Sequence, residues 1–106
     1  MKIFRAETRQ GDSIVGEGHG ASVSLILDDS GPGDGPRLHR HPYDETWVVT
    51  EGRLTFQLGD DRQQVRPGDV VFAPLGAPHK FTNNGPRRSR MVCIHASPKF
   101  ITEWLE

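Results

Sequence analysis

Short apolar segments separated by glycine and proline run along the whole of this sequence, and they limit it to short strands joined by tight turns. Twelve glycines and eight prolines are spread over 106 residues. Within the segments apolar residues alternate with polar ones, and Leu54, Phe56 and Leu58 are the clearest example. This alternation is the periodicity of a β-strand with one buried face. Because barrels and jelly rolls manage the exposed edges of many short strands, we predict an all-β barrel.

The pattern predicts about nine strands in one domain that spans residues 1–106. The expected strands are 21–27, 37–41, 45–50, 53–58, 62–65, 70–73, 79–82 and 90–95, with 2–6 as an edge strand or an arm. Residues 10–20 are rich in glycine and are expected to form a loop. The turn cluster 28–36 would be a linker in a two-domain protein, but the sequences on its two sides are too short to be separate domains. We therefore expect it at the rim of a single barrel.

The C-terminal residues differ in character and predict a short helix. Ser97 is a favourable N-cap, and Pro98 suits the first helical position. One apolar face of this helix would be formed by Phe100, Ile101, Trp104 and Leu105. Because a helix of this length is marginal by itself, we expect the face to dock on the barrel or on a partner subunit.

The pattern His39-x-His41-x-x-x-Glu45 offers three ligands for a metal ion within seven residues. Strand side chains two positions apart point the same way, so the two histidines share a face. Pro42 favours a bend that would return Glu45 to the same centre from the next strand. Imidazole and carboxylate both bind first-row transition metals. His79, which follows a turn rich in proline and glycine, is the candidate fourth ligand.

Charge and cysteine content exclude several classes of protein. With 13 basic and 14 acidic residues the net charge is -1, which argues against nucleic acid as a partner. The one cysteine, Cys93, excludes an intrachain disulfide, so we expect a reducing compartment such as the cytoplasm. Residues 1–10 lack the apolar core of a signal peptide, and no apolar run approaches the about 20 residues of a spanning helix. We therefore expect no association with a membrane.

Two stretches of the sequence match the two motifs of the cupin family at every fixed position. The first motif covers residues 33–52 and the second covers 68–83, and the short spacer between them is similar to that of small single-domain bacterial cupins. The fixed positions are Gly33, His39, His41, Glu45, Gly52, Gly68, Pro74, Gly76, His79 and Asn83. A chance match at all of these positions is negligible given average residue usage.

The resemblance implies a cupin double-stranded β-helix, which is a jelly-roll barrel, with one divalent metal ion inside. It implies that this ion is held by His39, His41, Glu45 and His79. Iron, manganese, nickel, zinc, cobalt and copper all occur in the family, so the identity of the metal stays open. Members of the family often dimerise, so a homodimer is expected.

The predicted ligand set favours binding or catalysis over a purely structural role. Four protein ligands leave two positions open on an octahedral ion, which suits a small substrate that chelates through oxygen. A structural zinc site would be closed and richer in cysteine. Glu45 is also the candidate catalytic residue, because it could leave the ion and act as a base. A pure ligand role is the alternative for Glu45.

Alternation from the ligands places further side chains in the lumen as candidate substrate contacts. Trp47, Phe56 and Phe81 would form an apolar wall, and ordinary barrel core is the alternative for each. Arg37 could bind an anionic group beside the metal, or lie solvated at the rim. His95, at the end of the last strand, is expected to be structural.

Three functions fit these features. We favour a metal-dependent enzyme that acts on a small oxygen-chelating ligand, aromatic or diketone-like, and most concretely a dioxygenase in which substrate and O2 meet at the open positions. The first alternative is a redox-neutral isomerase, cyclase or lyase that uses the metal as a Lewis acid. The second is a non-enzymatic module that binds a metal or a small molecule. The ligand set alone does not separate these functions.

Overall fold

The computed structural model describes residues 1–106 and contains ten β-strands and no helix. The strands are β1 (Ser13–Ile14), β2 (Ser24–Ser30), β3 (His39–Arg40), β4 (Glu45–Glu51), β5 (Leu54–Leu58), β6 (Asp61–Val65), β7 (Val70–Ala73), β8 (His79–Asn83), β9 (Ser89–His95) and β10 (Glu103–Trp104). Their short length follows from the turn residues between them, since glycine and proline end each strand after a few residues. The all-β prediction is confirmed.

The strands form two five-stranded antiparallel sheets. The first sheet has the order β1-β2-β9-β4-β7, and the second has the order β10-β3-β8-β5-β6. Along the motif region the chain passes repeatedly between the two sheets, which is the wrapping of a double-stranded β-helix. The jelly-roll prediction is therefore confirmed.

The core lies between the sheets and follows the period-2 pattern. Trp47 and Val49 of β4 pack with Met91 and Cys93 of β9 from the first sheet. The second sheet contributes Leu54, Phe56 and Phe81. Phe56 stacks on Phe81 with ring centroids 5.3 Å apart, and the edge of Trp47 meets Phe56 at 5.0 Å. The alternation within 53–58 is thus confirmed as a strand with one buried face.

The strand expected at 21–27 lies three residues further along the chain. β2 pairs with β9 over all seven of its residues, from Ser24 opposite His95 to Ser30 opposite Ser89. Pairing with a long central neighbour outweighs the low strand propensity of Asp28 and Asp29. The turn cluster therefore begins after Ser30 and not at Asp28. Within the loop expected at 10–20, Ser13 and Ile14 form the short edge strand β1, and residues 2–6 form no strand.

The C-terminal helix prediction is wrong. Ser97 does accept a hydrogen bond from the Lys99 backbone N–H at 3.2 Å, as a cap would. The chain then continues in extended form, and β10 pairs with β3, with Trp104 opposite His39. A helix this short has little stability by itself, so sheet pairing and packing decide the conformation of the C-terminal residues. The structure contains no helix of the length and apolarity needed to cross a membrane.

Candidate metal centre

The four side chains predicted as ligands meet inside the barrel. His39 lies on β3 and pairs directly with His79, the first residue of β8. His41 follows β3, and Glu45 begins β4 after the bend at Pro42. All four are buried, and one ligand atom from each lies within 4.8 Å of the others. The fold therefore brings His79 of the second motif to the three residues of the first motif, although it lies at least 34 positions further along the chain.

Hydrogen bonds to backbone carbonyls define the tautomer of each of these histidines. Nδ1 of His39 donates to the Arg37 carbonyl at 2.7 Å, and Nδ1 of His79 donates to the Ala77 carbonyl at 2.9 Å. Nδ1 of His41 donates to the Ile101 carbonyl at 2.7 Å. Since a carbonyl oxygen can only accept, Nδ1 carries the proton. In the neutral ring Nε2 is then left with its lone pair free for a metal ion, the arrangement found in metal-binding histidines.

The free nitrogen atoms face the Glu45 carboxylate at short range. Nε2 of His41 lies 2.9 Å from Oε1 of Glu45, and Nε2 of His79 lies 3.3 Å from the same oxygen. Neither contact has the geometry of a hydrogen bond, and all three atoms are buried without a partner. Lone pairs on nitrogen and a carboxylate oxygen repel each other unless a cation or a proton lies between them. These residues fit a single divalent metal ion, and the four of them could hold one.

The local pKa values show the same attraction for positive charge. Burial raises the pKa of Glu45, but the imidazoles of His41, His79 and His95 at short range together outweigh burial and hold this pKa well below its usual range. Burial lowers the pKa of His41, but the neighbouring Glu45 carboxylate and the Ile101 carbonyl together more than compensate and the net shift is upward. Burial is the main reason why the pKa of His39 lies below its usual value. A carboxylate that resists protonation is a good ligand and a weak base near neutral pH, which favours the ligand role for Glu45.

His95 contacts the centre directly, which the sequence analysis did not anticipate. It lies opposite Glu45 in the β4–β9 ladder, and its Nε2 is 3.1 Å from Oε2 of Glu45. Its Nδ1 is 2.6 Å from the Tyr43 hydroxyl, which in turn accepts the Ile101 backbone N–H at 3.3 Å. Since the carboxylate can only accept, the consistent arrangement has Tyr43 donating to Nδ1 and Nε2–H facing Glu45. The alternation of β9 could have revealed that His95 faces inward, but not that Glu45 lies beside it.

Three of the four candidate ligands, His39, His41 and Glu45, line one end of a cavity of about 330 Å³ between the two sheets. The wall also includes Ile26, Asp28, Ser30, Gly35, Pro36, Phe81, Cys93, His95, Phe100, Thr102 and Trp104. A larger surface groove of about 740 Å³, at 51–53, 67 and 85–88, is lined by charged residues, glycine and proline and has no metal-ligating cluster. The smaller cavity is therefore the candidate ligand site.

The predicted substrate contacts are distributed differently from expectation. Phe81 lines the cavity, whereas Trp47 and Phe56 lie in the core behind the cavity wall. Arg37 is exposed and outside the lining, and its guanidinium lies 4.9 Å from the centre of the Trp104 ring. The other aromatic side chains in the wall are Phe100 and Trp104. The sequence analysis had placed both of them on the apolar face of a C-terminal helix.

Comparison with known proteins agrees with this geometry. Residues 28–95 match the model of the cupin domain. An uncharacterized protein of Streptomyces coelicolor is 32% identical over 89 residues, which cover 76% of this chain and 83% of that protein. The polyketide synthase CurC of Streptomyces cyaneus is 38% identical over 68 residues, which cover 63% of this chain and 44% of that protein.

Solved structures show the same barrel. Oxalate oxidase in complex with the substrate analogue glycolate has a TM-score of 0.72 and 26% identity, covering 79% of this chain and 46% of that chain. An uncharacterized protein with a double-stranded β-helix domain from Klebsiella pneumoniae has a TM-score of 0.75 and 21% identity. The match covers 97% of this chain and 90% of that chain. The chain thus spans less than half the length of oxalate oxidase and of the Streptomyces cyaneus protein. With the motif residues gathered inside a jelly roll and the family model matching 68 residues in succession, the chain belongs to the cupin family.

Proposed function

We propose that this cupin is a metal-dependent enzyme acting on a small oxygen-chelating substrate, and most concretely a dioxygenase. The observation that supports this is the position of the ligand set, since three of its four residues, His39, His41 and Glu45, lie on the wall of a cavity. His39, His41, Glu45 and His79 would hold the ion, and a metal that takes more than four ligands would then also bind a small molecule from the cavity. When bound, the metal supplies Lewis acidity and, if redox-active, a site at which O2 and an electron-rich substrate can react.

The side chains of the cavity have separable roles in this proposal. Phe81 and Phe100 provide apolar surface for a ring or an alkyl chain. Trp104 covers His39, with ring centroids 5.1 Å apart, and forms part of the cavity wall on the C-terminal side. At about 330 Å³ the cavity is at the small end of ligand sites and suits a substrate of roughly one ring. Of the residues proposed as substrate contacts from the sequence, Phe81 is the one best placed.

Two relatives bear on the reaction. The likeness to oxalate oxidase in complex with the substrate analogue glycolate, at 26% identity, supports oxidation of a small molecule rich in oxygen. The likeness to a polyketide synthase, at 38% identity, favours a second candidate, a redox-neutral cyclase or isomerase acting on a chelating diketone. Both candidates use the same open metal site, so only turnover separates them.

The decisive experiment combines metal analysis with O2 uptake. The protein is purified without chelators, its metal content is measured, and uptake is followed on diketones, catechols and flavonols. Near-stoichiometric iron, nickel or copper with uptake on one substrate is the expected result, and His79→Ala protein without metal is the control. Zinc or manganese with conversion but no uptake would replace the dioxygenase by the redox-neutral enzyme. Binding without conversion of any substrate would leave a non-enzymatic binding module.

We also propose a homodimer that forms through the outer face of the first sheet. Two cross-strand rows of this face are apolar except at one threonine: Leu25–Ile94–Thr46–Phe72 and Leu27–Val92–Val48–Val70. Phe72 is 70% exposed and Val70 is 52% exposed, and a contiguous apolar face of this kind is typical of an interface. We expect a dimer by sedimentation, a monomer for Val92→Glu, and a dimer for the control Gln63→Glu on the other sheet. A monomeric wild type at micromolar concentration would contradict the proposal.

A reducing compartment such as the cytoplasm completes the proposal. Cys93 is the only cysteine, is buried in the core and forms no disulfide. Burial raises the pKa of its thiol, with a further contribution from Glu45, so the reactive thiolate is disfavoured.

A further inference from the structure

An acidic side chain stands on the inner face of β2, where the fold otherwise places core residues. Ser24 and Ser30 at the two ends of β2 are buried, and Ile26 and Asp28 between them line the cavity. All four therefore belong to the inward row of the strand. Asp28 lies opposite Met91, which is fully in the core. A carboxyl group in this row is costly unless it has partners.

The partners of Asp28 within the chain leave its charge uncompensated. The Ser30 hydroxyl lies 3.1 Å from Oδ1 and 2.9 Å from Oδ2 of Asp28, so one hydroxyl donor serves both oxygens. No lysine, arginine or histidine forms an ion pair with Asp28, whereas the outward Asp29 pairs with Arg88 and Arg90. Burial raises the pKa of Asp28, and the neighbouring Asp29 adds to this rise. The site thus has spare capacity to accept hydrogen bonds.

The position of Asp28 relative to the metal centre defines the shape of a ligand. Ser24 lies in register with His95, which lies in register with Glu45, so this level of the sheet is the metal end. Asp28 is four residues further along β2, or about 13 Å at the usual rise of a strand. One cavity includes both ends. A single small molecule can therefore contact both.

The middle of the cavity is apolar. Ile26 and Cys93 lie opposite each other in the β2–β9 ladder, between the levels of Glu45 and Asp28. Phe81 faces them from the second sheet, two residues beyond His79. Asn83, two residues further, donates to the Ser30 carbonyl at 2.9 Å and ties the far ends of the two sheets together. The cavity thus has a metal end, an apolar middle and an acidic end.

We propose that Asp28 is a substrate-binding residue that accepts a hydrogen bond from a hydroxyl or ammonium group at the end of the substrate remote from the metal. The substrate class is then a molecule with a chelating oxygen pair, a flat apolar body of about one ring, and a short arm that ends in a hydrogen-bond donor. Ser30 is a positioning residue, because its hydroxyl orients the carboxylate. This inference rests on the proposed function, since the chelating end requires the metal site.

Three catechols that differ only at the tip of the arm test the proposal. They carry a 2-aminoethyl, a 2-hydroxyethyl or a propyl arm at position 4, so the chelating head and the arm length are matched. Their dissociation constants are measured by calorimetry, without oxygen, on Ni²⁺-loaded protein. The variants are Asp28→Asn, which keeps the shape of the side chain, and Asp29→Asn, which removes the neighbouring charge on the outer face. His79→Ala protein measures binding that does not depend on the metal.

We expect the aminoethyl and hydroxyethyl catechols to bind wild-type protein about tenfold more tightly than the propyl catechol, as a hydrogen bond to a charged acceptor provides. Asp28→Asn should abolish the preference for the ammonium arm, and Asp29→Asn should keep it. An equal or better affinity for the propyl arm in wild-type protein, or an unchanged preference in Asp28→Asn, would overturn the role of Asp28 while the metal function stands. If no catechol binds in a metal-dependent way, the proposed function and this inference both fail.

Discussion

The metal centre has two halves that are supported in different ways. Glu45 and His79 begin β4 and β8, which are central strands with hydrogen-bonded neighbours on both sides. His39 and His41 lie on or next to β3, which has two residues and pairs with β8 at one position. This second half is covered by the C-terminal segment, defined here as residues 100–105. The two halves provide equal numbers of ligands but have very different support.

The difference shows that the family motif does not contain the whole site. The family model matches residues 28–95, yet the Ile101 carbonyl accepts a hydrogen bond from Nδ1 of His41, and Trp104 covers His39. The C-terminal segment is anchored by β10 and by the Leu105 N–H, which donates to the Leu38 carbonyl at 2.9 Å. The peripheral half of the centre is therefore completed by residues outside the motifs, and the following experiments test how far the two halves differ.

Removal of a ligand from either half should have the largest effect. His79→Ala should abolish stoichiometric metal binding, with a loss of affinity greater than the about 100-fold that loss of an outer hydrogen-bond partner can cause. His41→Ala, from the peripheral half, should do the same, because both rings face Oε1 of Glu45. Metal content by elemental analysis and folding by thermal melting are the measurements. Full metal occupancy in both folded variants would show that the site assignment is wrong.

Removal of the C-terminal segment should weaken the peripheral half without destroying the centre. Deletion of residues 100–106 removes the carbonyl partner of His41, and we expect metal affinity to fall by about 10- to 100-fold. Competition with a coloured chelator measures this affinity. Trp104→Ala keeps the Ile101 carbonyl, so its loss should be smaller. Equal affinity in the deletion variant and the wild type would mean that the two halves are equally self-sufficient.

The Tyr43–His95 pair should have a smaller effect, because it acts on the central half through Glu45. His95→Gln removes the ring whose Nε2 lies 3.1 Å from Glu45, and we expect metal affinity to fall by about tenfold. Tyr43→Phe leaves His95 in place and should cost less. A metal affinity that is unchanged in His95→Gln, measured by the same competition, would limit His95 to a packing role.

The pH dependence of the metal-free protein should give the smallest effect. The pKa of Glu45 lies below its ordinary value of 4.5 in the folded state, so the stability it contributes is complete above about pH 4.5 and is lost as the pH falls. The slope for one group is at most about 1.4 kcal/mol per pH unit. Two histidines act near pH 6.5. The raised pKa of His41 increases the free energy of unfolding below this pH, whereas the lowered pKa of His39 decreases it there. The two contributions to stability therefore oppose each other.

Thermal melting of metal-free protein between pH 3 and 5 checks this expectation. Glu45→Gln should show a flatter profile than wild type, because it lacks the titrating group. Glu103→Gln, which removes an exposed carboxylate on β10 that pairs with Arg40, should keep the wild-type slope apart from a small surface contribution. Parallel profiles for all three proteins would show that Glu45 does not control acid stability.

Much of the fold followed from local patterns. The alternation in 53–58 and the punctuation by glycine and proline predicted short strands, and the strands from β4 to β9 lie within a few residues of their expected positions. Where prediction failed, a distant neighbour decided the conformation. β2 extends to Ser30 because β9 pairs with it throughout, and the C-terminal residues form β10 because β3 offers an unpaired edge.

The candidate site divides in the same way. The spacing of His39, His41 and Glu45 and the position of His79 are properties of the sequence, because ligand type and strand alternation are local. Their meeting at one centre agrees with that expectation. The contact of His95 with Glu45 and the lining of the cavity by Asp28 depend on which strands are neighbours. The sequence by itself determined the candidate ligand set and the strand periodicity. The tertiary structure alone decided which groups contact those ligands, which residues line the cavity, and that Trp104 covers His39. Those contacts join residues that only sheet pairing brings together.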